Sequence, residues 1–192
     1  MNFKSKQCNV STYDSPFLHI QYTDFFTAEA LLHLKEQLGR LPEAKFDLHP
    51  VGYKYTVFPS REFFQFIYSG EFTDELARQV DKKVLKSKKY PYPQVYLFPA
   101  KAGGITPHTD YGEERDLALI FYLGTGWAPS MGGELALYKG NDLKAWGPPV
   151  KLIEPHYNSA VLIHLGKNSW HSVMPAKQGF QRVTLIVDWD FE

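Results

Sequence analysis

The chain has 192 residues, 21 basic and 21 acidic side chains, and one cysteine, Cys8. This length favours one domain, which buries enough surface to fold without a disulfide or a structural metal. The zero net charge argues against a nucleic-acid partner, the lone cysteine excludes an intrachain disulfide and favours the cytoplasm, and the longest apolar run, 117–123, is too short to cross a bilayer.

Residues 1–90 read mostly as helices, and we expect residues 1–192 to form a single domain. A first helix is predicted after Thr27 and a short aromatic helix after Ser60, because both residues are good N-caps. A third helix is predicted with Thr73 as its cap. The predicted buried stripe of this third helix consists of Leu76, Val80 and Val84.

Residues 91–192 read as short strands separated by Gly, Pro and Asn. The candidate strands are 94–98, 105–109, 117–123, 133–138, 150–153, 160–164, 169–173 and 182–189. Eight antiparallel strands in two facing sheets form a jelly roll, or double-stranded β-helix. The predicted fold is therefore mainly β, with flanking N-terminal helices packed on one sheet.

One histidine has a carboxylate two positions away on a predicted strand, in the triplet His108-Thr109-Asp110. Residues i and i+2 of a strand point to the same face, so the imidazole and the carboxylate are expected to converge. Taken alone the triplet is a weak signal, and a surface hydrogen bond between His108 and Asp110 near a strand end is an alternative interpretation.

A second histidine, His171, strengthens the first interpretation, because the intervening chain is long enough to cross the sheets and return. Two imidazoles and one carboxylate on one face of a metal ion leave the other coordination positions open. This facial triad is typical of non-haem Fe(II) enzymes that activate oxygen. The predicted metal ligands are therefore His108, Asp110 and His171, which are also the predicted catalytic residues.

Arg182 follows His171 after Pro175 and Gly179, which suggests a hairpin that pairs the two strands antiparallel. Arg182 and Thr184 are expected to share one face of their strand. A buried arginine needs an anionic partner and can hold a carboxylate through two parallel hydrogen bonds. An internal salt bridge to Asp188 or Asp190 is the alternative to a bound anion.

Residues 94–191 resemble the catalytic core of the Fe(II)/2-oxoglutarate-dependent dioxygenases, and more narrowly its prolyl-hydroxylase-like branch. The matching stretches are QVYLFPAKAGGITPHTD, LALIFYLGTGW, GGELALY and WHSVMPAKQGFQRVTLIVDW. Their order is far more specific than any one of them alone. The resemblance implies Fe(II) held by the triad, 2-oxoglutarate as cosubstrate and O2 as oxidant, with ascorbate as a candidate stimulant.

The resemblance also implies a binding site for the cosubstrate. Arg182 would pair with the far carboxylate of 2-oxoglutarate, assisted by the hydroxyl groups of Tyr122 and Thr184. The tyrosine that the branch often places on an earlier strand is Phe98 here, and Tyr96 shares its face and is the candidate for that contact.

The function that follows is hydroxylation of an unactivated C–H bond, with succinate and CO2 as coproducts. Asp110 favours hydroxylation over halogenation, because halogenating relatives have a small residue at that position. The expected substrate is a small amino-acid-like molecule, a natural-product intermediate or a peptidyl residue. Two alternatives remain at this stage: a cupin-type metalloenzyme that does not use 2-oxoglutarate, and a non-catalytic binding module.

Overall fold

The structure is a computed structural model that describes residues 1–100, 102–140, 147–177 and 179–192. The α-helices are α1 (Ala28–Gly39), α2 (Arg61–Ile67) and α3 (Gly70–Val80). The strands before residue 90 are β1 (Asn9–Tyr13), β2 (His19–Thr23), β3 (Asp47–Leu48), β4 (Lys54–Val57) and β5 (Val84–Lys86). The later strands are β6 (Gln94–Phe98), β7 (Ile105–His108), β8 (Leu117–Tyr122), β9 (Leu135–Leu137), β10 (Lys151–Ile153), β11 (Ser159–His164), β12 (His171–Val173) and β13 (Arg182–Phe191). Within the described ranges, no helix is both long and apolar enough to span a membrane.

The strands form two facing sheets. The large sheet has the order β1-β2-β11-β8-β13-β6-β4-β3, with β5 also pairing with β13. The small sheet has the order β10-β9-β12-β7. All pairings of named strands in both sheets are antiparallel.

Strand β8 lies at the centre of the large sheet and is buried on both faces. On one face, Leu117, Leu119 and Phe121 join a core that includes residues of all three helices. On the other face, Ala118, Ile120 and Tyr122 join a second core with residues of the small sheet. Since side chains alternate along a strand, one strand serves two cores. The predicted fold, mainly β with helices packed on one sheet, is confirmed.

The helix starts agree with the sequence at two of three places. Thr27 caps α1 by accepting from the N–H of Ala30, and Ser60 caps α2 by accepting from the N–H of Phe63. The prediction that Thr73 caps α3 is wrong: Ser69 is the cap, and the Thr73 hydroxyl donates to the Ser69 carbonyl from within the first turn. A serine one turn earlier offers the same acceptor oxygen, which propensity alone does not distinguish.

Two further expectations are corrected. Val84 lies in β5 and not in α3, because Asp81 adopts a left-handed φ of 51° that ends the helix. Strand β12 is not hairpin-paired with β13, since β12 belongs to the small sheet and β13 to the large one. The connection crosses between the sheets, where Ala176 bridges to Gly132.

Residues 1–90 also contribute five strands in addition to the three helices. These strands were not predicted. The residues of β1 are exposed throughout, and β3 has only two residues, so neither shows the alternation that marks a half-buried strand. Strand β2 packs beside β11 and extends the large sheet, so this part of the chain is less helical than the sequence suggests.

Candidate metal and cosubstrate site

The structure brings His108, Asp110 and His171 together at one end of the small sheet. One potential ligand atom from each lies within 4.8 Å of the others. Asp110 Oδ1 is 3.6 Å from His108 Nε2, and Asp110 Oδ2 is 3.5 Å from His171 Nε2. Two atoms bound to one ion at right angles, each ~2.1 Å from it, are separated by ~3 Å, so the three groups are close to the spacing that an ion requires.

Asp110 reaches this point by a different route from the one predicted. Strand β7 ends at His108, so the alternation of a strand does not place Asp110 beside it. Asp110 instead adopts a left-handed φ of 56°, a conformation that aspartate tolerates better than most residues. The convergence was predicted correctly, but a turn produces it.

Both imidazole rings are oriented by backbone carbonyl groups. His108 Nδ1 is 2.8 Å from the Thr106 carbonyl oxygen, and His171 Nδ1 is 2.8 Å from the Ser169 carbonyl oxygen. A ring N–H that donates to a carbonyl leaves Nε2 unprotonated, with its lone pair directed at the shared point. Outer hydrogen bonds of this kind are usual for histidines that bind metals.

The ionisation states also fit a cation. Burial and the adjacent His171 lower the pKa of His108, which favours the neutral ring. Burial opposes ionisation of Asp110, but the adjacent His171 and Arg115 outweigh it and hold the pKa of the carboxyl below its usual range. Neutral imidazoles and an ionised carboxylate form a donor set that suits Fe(II).

Arg182 lies on the inner face of the large sheet and lines the same cavity, of about 260 Å³, as the three residues above. Only 2% of its surface is exposed. Its guanidinium carbon lies 5.0 Å from the ring centre of Phe98 and 5.3 Å from that of Tyr122. Burial lowers the pKa of Arg182, because the charged form loses hydration.

The alternative of an internal salt bridge for Arg182 is not seen in the described part of the chain. Asp188 pairs with Arg115, and Asp190 accepts a hydrogen bond from the Lys88 N–H. Among the described residues, Arg182 Nε and the hydroxyl groups of Tyr122 and Thr184 also lack hydrogen-bond partners. Buried polar atoms are rarely left unsatisfied, so this cluster fits a bound anionic group.

Tyr122 and Thr184 are directly opposite each other in the pairing of β8 with β13, and Tyr96 is opposite Thr184 on the other side. All three therefore share the inner face of the large sheet. The Tyr96 hydroxyl, however, donates to Gln94 Oε1 at 2.7 Å. Tyr96 lines the cavity, but its hydroxyl already has a partner.

Two aromatic residues that precede the core are also found near the cavity. Tyr53 lines it, and Tyr55 stacks on Tyr96 with ring centres 5.9 Å apart.

Sequence reasoning missed Arg115, which lies between Asp110 and two other carboxylates. Arg115 Nη2 is 2.8 Å from Asp110 Oδ1 and 3.3 Å from Glu113, and Nη1 is 3.2 Å from Asp188. Burial opposes its charge, but these carboxylates raise the pKa of Arg115. The available signal was its place five residues after Asp110 in a charged turn, but the sequence does not show which way such a turn folds.

Comparison with known proteins agrees with this geometry. The family model described as the 2OG-Fe(II) oxygenase superfamily matches residues 96–189. The chain is similar to prolyl 3-hydroxylase OGFOD1 of Xenopus laevis, with 41% identity over 66 residues. That match covers 34% of this chain and 13% of the relative, so the likeness is confined to a short part of a longer protein.

Solved structures share the fold. A prolyl-4-hydroxylase of Pseudomonas putida is 18% identical, with a TM-score of 0.68, over 91% of this chain and 92% of that one. A prolyl hydroxylase of Trichoplax adhaerens, solved with a peptide fragment of a hypoxia-inducible factor, is 17% identical, with a TM-score of 0.67, over 90% of this chain and 83% of that one. The family model matches just under half of the chain, the part that holds His108, Asp110, His171 and Arg182, and over that part the chain is similar to the 2OG-Fe(II) oxygenase superfamily.

Proposed function

We propose that the chain hydroxylates an unactivated C–H bond, with succinate and CO2 as coproducts, and that a prolyl residue in a peptide is the first substrate class to test. One observation carries the proposal: the cavity that His108, Asp110 and His171 face also contains Arg182, for which the described residues supply no ion-pair partner. A metal triad and an anion anchor in one cavity match a cosubstrate with a chelating end and a carboxylate end.

Residues attached to the small sheet would hold the metal, and residues on the large sheet would hold the far end of the cosubstrate. His108, Asp110 and His171 would hold Fe(II). Arg182 would pair with the far carboxylate of 2-oxoglutarate, with donated hydrogen bonds from Tyr122 and Thr184. When bound, iron, 2-oxoglutarate and O2 supply the oxidising chemistry. The protein would position the reactants. Apolar side chains that line the cavity, including Phe98 and Ile120, would exclude water from it.

Two considerations favour a prolyl substrate. The partial relative and two of the structural neighbours are named prolyl hydroxylases, and one of them was solved with a peptide. The cavity also has tyrosine side chains among its lining, including Tyr53 and Tyr90, and flat aromatic surfaces pack well against a saturated ring. A free amino acid or a natural-product intermediate would enter the same cavity and is the competing substrate class.

The buried Arg182 on the large sheet argues against a cupin-type enzyme that does not use 2-oxoglutarate. Such an enzyme has no need for Arg182, whose charge is buried at a cost unless an anion is present. Formation of one succinate per product separates the two mechanisms.

The test begins with anaerobic titration of the protein with Fe(II) and 2-oxoglutarate, followed by the visible absorption band of the chelate. Proline-containing peptides, free proline and other amino acids are then added, and turnover is followed as succinate and as a mass gain of one oxygen atom. The proposal predicts the band, and product with at least one proline-containing peptide. Absence of the band, or oxidation without succinate, would contradict it.

The matched control uses another histidine with a carboxylate two positions away. His156 Nε2 is 2.7 Å from Glu154 at an exposed position away from the cavity. His156→Ala should retain the chelate band, whereas His108→Ala should lose it. Equal loss in both variants would show that the band does not report this site.

A further inference from the structure

The side chain of Arg115 is held on several sides. Two of its nitrogen atoms contact Asp110, Glu113 and Asp188. Its guanidinium carbon also lies 4.8 Å from the centre of the Tyr90 ring. A planar guanidinium with this many contacts has little freedom to rotate. Its position relative to Asp110 is therefore fixed.

The two oxygen atoms of Asp110 have different surroundings. Oδ1 lies 2.8 Å from Arg115 Nη2 as an ion pair, while Arg115 donates hydrogen bonds to Glu113 and Asp188. Oδ1 also lies 3.6 Å from His108 Nε2, and Oδ2 lies 3.5 Å from His171 Nε2. Each oxygen therefore faces one of the two histidines, and the close contact of Arg115 is with Oδ1.

We propose that Arg115 is a positioning residue that keeps Asp110 a one-oxygen ligand of the metal. The proposal rests on the function given above. Carboxylates bind metals through one or both oxygens, and a guanidinium held against Oδ1 competes with a metal ion for that oxygen.

The number of oxygens bound decides how many positions remain for reactants. An octahedral ion with two imidazoles and one carboxylate oxygen retains three open positions. A 2-oxo acid chelate needs two of them, and the third is needed by the oxidant. If both Asp110 oxygens bound, only two positions would remain, and a bound 2-oxo acid would leave none for the oxidant.

Asp188 gives Arg115 its second anchor. Asp188 is 2% exposed and lies on β13, the strand that also carries Arg182. Arg115 therefore neutralises a buried carboxylate, and a purely structural role is the competing explanation. The two explanations differ in one respect: a structural role alone does not change the coordination of a metal held by Asp110.

The test uses Mn(II) as the metal, without O2, and counts water ligands from the line broadening that ¹⁷O-labelled water causes in the EPR spectrum. The wild type should show about three exchangeable waters, and Arg115→Met about two. Arg115→Lys, which keeps the charge, should retain the wild-type water count. An unchanged water count in Arg115→Met would overturn the proposal.

Two controls complete the design. Lys89 places another cation 5.4 Å from the Tyr90 ring, so Lys89→Met should leave the water count unchanged. If Arg115→Met does not fold, the double variant Arg115→Met with Asp188→Leu removes both charged partners, which is far less costly than leaving one buried alone. That variant should again show about two waters, and three would overturn the proposal.

The two proposals fail in different ways. If the His108→Ala variant binds Mn(II) as tightly as the wild type does, the triad does not hold the metal. The proposed function then fails, together with this inference. If His108→Ala abolishes binding while Arg115→Met leaves coordination unchanged, only the role of Arg115 is wrong.

Discussion

His108 and His171 are directly opposite each other in the antiparallel pairing of β7 with β12, and their ring centres are 4.3 Å apart. One ladder of backbone hydrogen bonds therefore sets the distance between the two imidazoles. Asp110 joins them from a turn, and the anion anchor comes from the opposite sheet. The predictions below test these separate contributions.

Replacing Arg182 by methionine should change stability and binding in opposite directions. The buried charge lacks an ion-pair partner among the described residues, so removing it should raise the free energy of unfolding of the metal-free protein by about 1–3 kcal/mol. The same variant should lose the rise in Tm that 2-oxoglutarate gives the metal-loaded wild type. Urea unfolding and thermal melting measure the two effects.

Arg182→Lys is the matched control, because it keeps the buried charge but not the paired donors. It should not gain stability, and it should retain part of the response to 2-oxoglutarate. If Arg182→Met responded to 2-oxoglutarate as the wild type does, Arg182 would not be the anchor.

Removing the hydroxyl groups of Tyr122 and Tyr96 should have unequal effects. The Tyr122 hydroxyl has no partner among the described residues, whereas the Tyr96 hydroxyl donates to Gln94. Tyr122→Phe should raise the Kd for 2-oxoglutarate about tenfold, the cost of one hydrogen bond to a charged group. Tyr96→Phe should change it less than about twofold. Calorimetric titration of the Mn(II)-loaded protein measures both Kd values. An equal rise in Kd in the two variants would show that the Tyr96 hydroxyl also binds 2-oxoglutarate.

Gly132 should tolerate substitution less well than Gly126. Both have positive φ values, 69° and 77°, so alanine at either position incurs a strain of about 1–2 kcal/mol. A Cβ at Gly132 would also lie 2.1 Å from the Pro175 carbonyl oxygen, whereas one at Gly126 would meet nothing within 4 Å. Gly132→Ala should therefore lose at least twice the free energy of unfolding that Gly126→Ala loses. Similar losses in urea titrations would contradict this.

His19 should make the fold sensitive to acid. Its ring is fully buried, Nδ1 lies 2.8 Å from the Phe17 carbonyl oxygen, and burial lowers the pKa of His19. The folded state then binds fewer protons than the unfolded state, so the free energy of unfolding falls as the pH drops below the ordinary histidine pKa. Between about pH 7.5 and pH 5, the wild type should lose more stability than His19→Phe. Urea unfolding at several pH values measures the slopes, and parallel slopes would refute the prediction.

The half of the fold that follows residue 90 was predictable because its strands carry strong local signals. Strand β6 was predicted at its observed bounds, 94–98, and the apolar run that forms β8 was predicted to within one residue. The strands of the first ninety residues were not predictable, because they owe their pairing to the large sheet and not to their own pattern. Strand β1, exposed along its whole length, is the plainest example.

The site was predictable where residue type and spacing carry the chemistry. His108, Asp110, His171 and Arg182 are brought to one cavity as expected. Arg115 was not found, because its role depends on a turn with positive φ at Asp110, Gly112 and Glu114. Sequence spacing gives no indication of such backbone angles. It therefore does not predict the contact between Arg115 and Asp110.

The two halves of the site belong to different layers, and this has a consequence for selectivity. The triad is attached to the small sheet, while Arg182 projects from the large one. On the proposed assignment, the distance between the two sheets determines which length of diacid can reach both the metal and Arg182. Side chains that fill the gap, such as Leu135 and Ile163, would then tune the choice between 2-oxoglutarate and its shorter or longer homologues without touching either end of the molecule.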